Sequence, residues 1–145
     1  MSAYPPPVTP LPEPGMQKPG MVTAIAVMTL VNGALNIMYA LGATLAIVFS
    51  TLGIGLLCAP FTILPGVLGI FEILYGAKLM SNPPQPVQPS QAIAIMEICC
   101  ILVGNVISVV VGILALVFYN DATVKAYFSQ INAGAMQPPY QPSQP

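Results

Sequence analysis

MVTAIAVMTLVNGALNIMYALGATLAIVFSTLGIGLLCAPFTILPGVLGIFEILYGAKLM, residues 21–80, is sixty residues long and holds only two formal charges, Glu72 and Lys78. A bilayer-spanning helix needs about 20 apolar residues, so the block has length for two crossings. The clustered turn formers are Ser50, Thr51, Gly53 and Gly55. Breaking the block there predicts a first helix over 21–49 and a second over 57–80. Pro60 suits the first turn of the second helix, where a missing N–H costs nothing. Pro65 lies deeper and predicts a kink. A second break near Tyr39–Ala43 is the alternative; it lacks polar turn residues and would raise the number of crossings from three to four.

Outward from this block, residues 81–91 (SNPPQPVQPSQ) read as a Pro-rich loop, with Ser90 placed to cap the next helix. Residues 92–119 are apolar apart from Glu97, Asn105, Ser108 and a few small residues, and are expected to form a third crossing. After Asn120-Asp121, residues 121–131 bring Val124, Tyr127, Phe128 and Ile131 onto one helical face. That pattern predicts an amphipathic helix lying in the membrane interface, its aromatics at headgroup depth. Residues 1–20 and 132–145 are rich in Pro and poor in charge, and are expected to be disordered tails. The fold class is therefore an all-α membrane protein: three transmembrane helices within 21–119 (alternatively four), an interfacial helix and two Pro-rich tails.

Composition carries the same message over the whole chain. Of 145 residues 56% are hydrophobic and 5% charged, against roughly a quarter charged in a soluble domain. Three lysines, four acids and no histidine cannot coat a water-soluble globule. Nucleic-acid binding is excluded for want of basic side chains to neutralise phosphates. No phosphate loop, metal-ligand spacing or nucleophile–base pair is present, so neither an enzyme nor a cofactor or metal is expected. The apolar run begins late and runs too long for a cleaved signal peptide. The three cysteines, Cys58, Cys99 and Cys100, are read as free thiols in apolar surroundings.

Ionisable groups at membrane depth are the default places to look for function. Glu72 and Glu97 sit on antiparallel neighbours at similar depth. Asn32, Asn36 and Asn105 lie at matching levels, which makes these five residues a candidate intramembrane polar cluster. Two roles follow. In one, neutral acids hydrogen-bonded to the asparagines hold the helices together; in the other, the acids form a proton or cation pathway. The first is preferred, because the chain lacks Arg and lacks the string of acids that pumps use. Gly69 and Gly76 on the second helix, and Gly104, Ser108 and Gly112 on the third, form small-residue stripes of the kind that pack helices in lipid. These faces are expected to support self-association or contact with other membrane proteins.

The Pro/Tyr-rich tails, GIFEILYGAKL (69–79) and FYNDATVKAYF (118–128) together resemble small uncharacterised bacterial multi-span membrane proteins of the domain-of-unknown-function kind. The Ala/Ile-rich first span with its Asn-Gly, followed by a Gly-rich second span, is faintly similar to the membrane-spanning four-domain family. The resemblance implies a multi-pass protein of the bacterial cytoplasmic membrane. With three crossings, Lys18 and Lys78 share one face and Lys125, offset by Asp121, lies on the other; the positive-inside rule then puts the N-terminus in the cytoplasm. The expected partner is the bilayer itself, and any partner of the tails is unspecified.

Overall fold

The computed structural model describes residues 17–135. The expected tails fall largely outside the described residues. Within them the chain is 83% helical, with no strand. Helix α1 runs Gly20–Ser50, α2 Ala59–Met80, α3 Gln91–Cys99, α4 Val106–Tyr119 and α5 Ala122–Ala135. Short 3-10 turns, Ile54–Cys58 and Cys100–Val103, precede α2 and follow α3.

The chain doubles back after α1 through Thr51–Gly53. Leu52 (φ 50°) and Gly53 (φ 94°) both adopt left-handed backbone there. Thr51 pins the reversal: its hydroxyl bonds Ile47 O and accepts from Gly55 N, each at 2.6 Å. The two helices then run antiparallel in close contact. A Cβ placed on Gly33 would lie 2.7 Å from Gly69 O, and one on Gly76 3.1 Å from Ala26 O, so only glycine admits this spacing. Further along, the hydroxyls of Thr44 and Thr62 meet at 2.7 Å. No break occurs near Tyr39–Ala43; α1 is continuous through it.

Residues 92–119 depart from the single helix expected of them. Gly104 adopts φ 78°, Asn105 caps α4 by accepting from Ser108 N at 3.3 Å, and α4 folds back antiparallel on α3. A Cβ on Gly112 would lie 2.9 Å from Glu97 Cβ and 3.0 Å from Ile98, which marks the close approach within this second hairpin. The physical reason is local: glycine reaches left-handed φ without strain, and the following Asn supplies the cap that restarts the helix. Gly104 is thus a turn residue, not the packing residue its stripe suggested; its nearest outside neighbour, Tyr39 Oη, would be 3.8 Å from an added Cβ.

The two hairpins make a four-helix bundle of unequal reach. α1, with 31 residues, is about 46 Å long at the usual helical rise. α4, with 14, is about 21 Å long. By length and composition two helices suffice to cross a membrane, Gly20–Ser50 and Ile54–Met80, or up to three if α4 and α5, bent by 76°, count as one span.

α5 also departs from expectation. Val124, Tyr127, Phe128 and Ile131 are buried against Val22, Leu79, Ala94 and Tyr119 at the end of the bundle, and Asn132 donates to Val87 O at 3.1 Å. The apolar face therefore covers protein rather than lipid. Asp121 sets this up by accepting from Thr123 N (2.8 Å) and Val124 N (3.2 Å), which starts α5 at a sharp angle to α4. Those backbone N–H groups hold the Asp121 carboxyl below its ordinary range. Because α4 returns, Lys125 lies at the same end of the bundle as Lys18 and Lys78, not at the opposite one. Lys18 donates to Leu79 O at 2.6 Å there.

Burial is inverted relative to a soluble protein. Glu72, Glu97, Asn32, Asn36 and Ser108 are among the most completely buried side chains, while Phe49, Leu57 and Leu102 are 76%, 81% and 87% exposed. Apolar-out and polar-in is the arrangement a hydrocarbon solvent selects.

Candidate polar site

All five residues of the candidate cluster, and Ser108 with them, converge where the four helices meet. Asn32 and Asn36 come from adjacent turns of one face of α1. Glu72 comes from α2, Glu97 from α3, and Asn105 with Ser108 from the first turn of α4. Asn36 Nδ2 donates to Glu72 Oε1 at 2.9 Å and to Oε2 at 3.0 Å. Asn32 Nδ2 reaches Glu72 Oε1 at 3.2 Å and Glu97 Oε1 at 3.3 Å, bridging the two carboxyls. Asn105 Nδ2 donates to Asn36 Oδ1 at 2.6 Å. Ser108 Oγ donates to the same oxygen at 2.7 Å and approaches Asn32 Oδ1 at 3.2 Å.

The network has a direction. A backbone N–H can only donate, so the Ser108 N–H fixes Asn105 Oδ1 as acceptor and turns Asn105 Nδ2 outward. That amide fixes Asn36 Oδ1 as acceptor and turns Asn36 Nδ2 toward Glu72. Every donor thus points, step by step, at the carboxyl pair. No basic side chain takes part: the chain has three, and Lys18, Lys78 and Lys125 all lie at the far end of the bundle. One buried side-chain polar atom has no partner among the described residues, Glu97 Oε2. Among those residues no three His, Cys, Asp or Glu side chains converge as metal ligands.

Tyrosines flank the cluster on both sides. Toward the lysine-bearing end, Tyr119 Oη bonds Tyr75 Oη at 3.1 Å, and Tyr75 Oη accepts from Ser90 N at 3.2 Å. Toward the other, Tyr39 Oη donates to Val103 O in the turn of the second hairpin. Sequence reading did not pick out these three, nor Gly33 as the partner of Gly69; aromatic residues in an apolar run carry no spacing signal that separates a hydrogen-bonding tyrosine from a packing one.

The glycine stripes are occupied inside the chain. Gly69 meets Gly33, Gly76 meets Ala26 and Leu30, and Gly112 meets Ala94 and Glu97, while Ser108 is fully buried. Lipid supplies no hydrophobic drive between helices, so small faces pair with the nearest small face, and at Gly69, Gly76 and Gly112 that face is on the same chain. Comparison of the chain with protein-family models, curated proteins and solved structures finds no match.

Proposed function

We propose that this chain is a small multi-pass protein of the bacterial cytoplasmic membrane with a structural or interaction role, not an enzyme. In this reading α1 and α2 cross the bilayer, and the shorter α3–α4 hairpin enters and leaves on one side. The end carrying all three lysines faces the cytoplasm by the positive-inside rule. Partners, whether other membrane proteins or a second copy, meet the apolar exterior.

One observation carries the reading: the polar groups of the bundle bond to one another across all four helices, and the apolar side chains face outward. That is how a bundle is held together where water is absent. The test is reconstitution into sealed vesicles with assays of proton and monovalent-cation flux, alongside sizing in detergent. A structural role expects no flux above protein-free vesicles and loss of solubility when detergent is withdrawn.

The buried acid pair without a basic partner favours a second reading, a proton- or cation-conducting protein using Glu72 and Glu97. Flux that disappears in Glu72→Gln or Glu97→Gln would establish it in place of the first.

A further inference from the structure

We propose that the Glu72–Glu97 pair is a binding site for one proton, held on Glu97 Oε2, and that this proton keeps the two hairpins docked. The inference deepens the structural reading above and rests on the same polar network; the flux assay tests that reading, and the spectroscopy below tests the proton.

Glu72 is built as the anion. Its two oxygens accept three N–H contacts from Asn36 and Asn32, and the donor relay that begins at the α4 backbone ends on it. Glu97 is built as the acid. Oε1 accepts one N–H from Asn32, and Oε2 accepts none. A buried carboxylate oxygen without a donor forfeits its full hydration free energy. A proton on that oxygen removes the charge, which leaves Glu72 as the one anion of the pair.

Charge leads to the same place. Two anions side by side in a low-dielectric interior repel strongly, and no lysine approaches. The titratable groups beside the pair are Cys100, buried at the start of the turn that follows α3, and Tyr75 and Tyr119 from α2 and α4, which flank the cluster; none is a base. A metal ion is a poor substitute. The amide groups of Asn32 and Asn36 present N–H to the carboxyls, and their oxygens already accept from Ser108 and Asn105. No oxygen cage remains.

The link to docking comes from the seams on either side. Between α2 and α3 lies a groove of about 280 Å³, open to the exterior and lined by Pro65, Leu68, Met96 and Cys100 among others. Between α1 and α4 lies a second open groove of about 220 Å³, reaching Asn32. Each hairpin is tightly packed within itself, but beside the cluster the contact between hairpins is thin. Removal of the proton would set two charges against each other at that contact.

The experiment uses the full chain in detergent micelles with 13C-labelled glutamate and infrared spectroscopy at neutral pH. The expected result is one glutamate band in the protonated-acid region. It is lost in Glu97→Gln and kept in Glu72→Gln, with helical circular dichroism unchanged. A band that survives Glu97→Gln, or that vanishes instead in Glu72→Gln, overturns the assignment. So does a carboxylate band that shifts on adding sodium or potassium, which would make a cation the ligand. Should Glu97→Gln fail to fold, the labelled parent and Glu72→Gln decide: one acid among the parent's three glutamates that persists in Glu72→Gln supports the site, and none, two, or one that is lost in Glu72→Gln overturns it. Raising the pH until the band disappears should also speed amide exchange along α3 and α4 ahead of α1 and α2; exchange that rises equally in all four helices overturns the docking role.

Discussion

Asn36 holds both oxygens of Glu72 from a single amide nitrogen, at 2.9 and 3.0 Å, across the interface between the first two helices. The contact is the last step of the donor relay; the second hairpin acts on it from behind, through Asn105 and Ser108, which both donate to Asn36 Oδ1. Replacing Asn36 with Leu removes the donors and strands the carboxyl. Loss of one partner of a buried charged group costs about 3–5 kcal/mol. Reversible unfolding in mixed micelles should show a loss of that size, and a loss below about 1 kcal/mol would mean that Glu72 finds other donors.

The glycines separate close approach from mere composition. Gly69→Ala presses a methyl group against the backbone of Gly33, and overpacking of this kind costs about 1–3 kcal/mol. Gly42, on the same long helix α1, has nothing within 4 Å of an added Cβ. Gly42→Ala should therefore be neutral or stabilising by up to about 1 kcal/mol through helix propensity. The same unfolding assay reads both, and the two signs should differ.

Gly104 makes a narrower prediction. The site has room for a methyl group but a backbone at φ 78°. Gly104→Ala should cost about 1–2 kcal/mol from backbone strain alone, with the infrared signature of the carboxyl pair unchanged.

The return of α4 fixes parity. In a background lacking native cysteines, Asn82→Cys and Asn120→Cys should react with a membrane-impermeant thiol reagent from the same side of sealed vesicles. A single crossing over 92–119 would put them on opposite sides.

At the start of α5, Asp121 is held below its ordinary value of 3.8, chiefly by the N–H groups of Val124 and Thr123. A depressed folded value stabilises the folded form above the unfolded value; the contribution is lost as the pH falls through the folded one. Amide exchange at Thr123 and Val124, corrected for intrinsic rate, should be slow at neutral pH and rise on acidification below 3.8. Asp121→Ala should show the faster exchange already at neutral pH.

The bare order of residues determined that this chain is helical and apolar enough for two or three helices to span a bilayer, because charged side chains are too few to interrupt its apolar runs. It also singled out the polar residues worth watching: Asn32, Asn36, Glu72, Glu97 and Asn105 stand out in an apolar background wherever they fold. Tertiary structure alone decided how they meet. The reversal at Gly104-Asn105 is written in two residues that also suit a continuous packing stripe, and only the closing of α4 onto α3 distinguishes the two. The same fold-back decided which end of the bundle Lys125 joins and what α5 covers. An amphipathic face specifies that something apolar will bury it, and whether that is lipid or protein depends on which surface the preceding turn brings within reach.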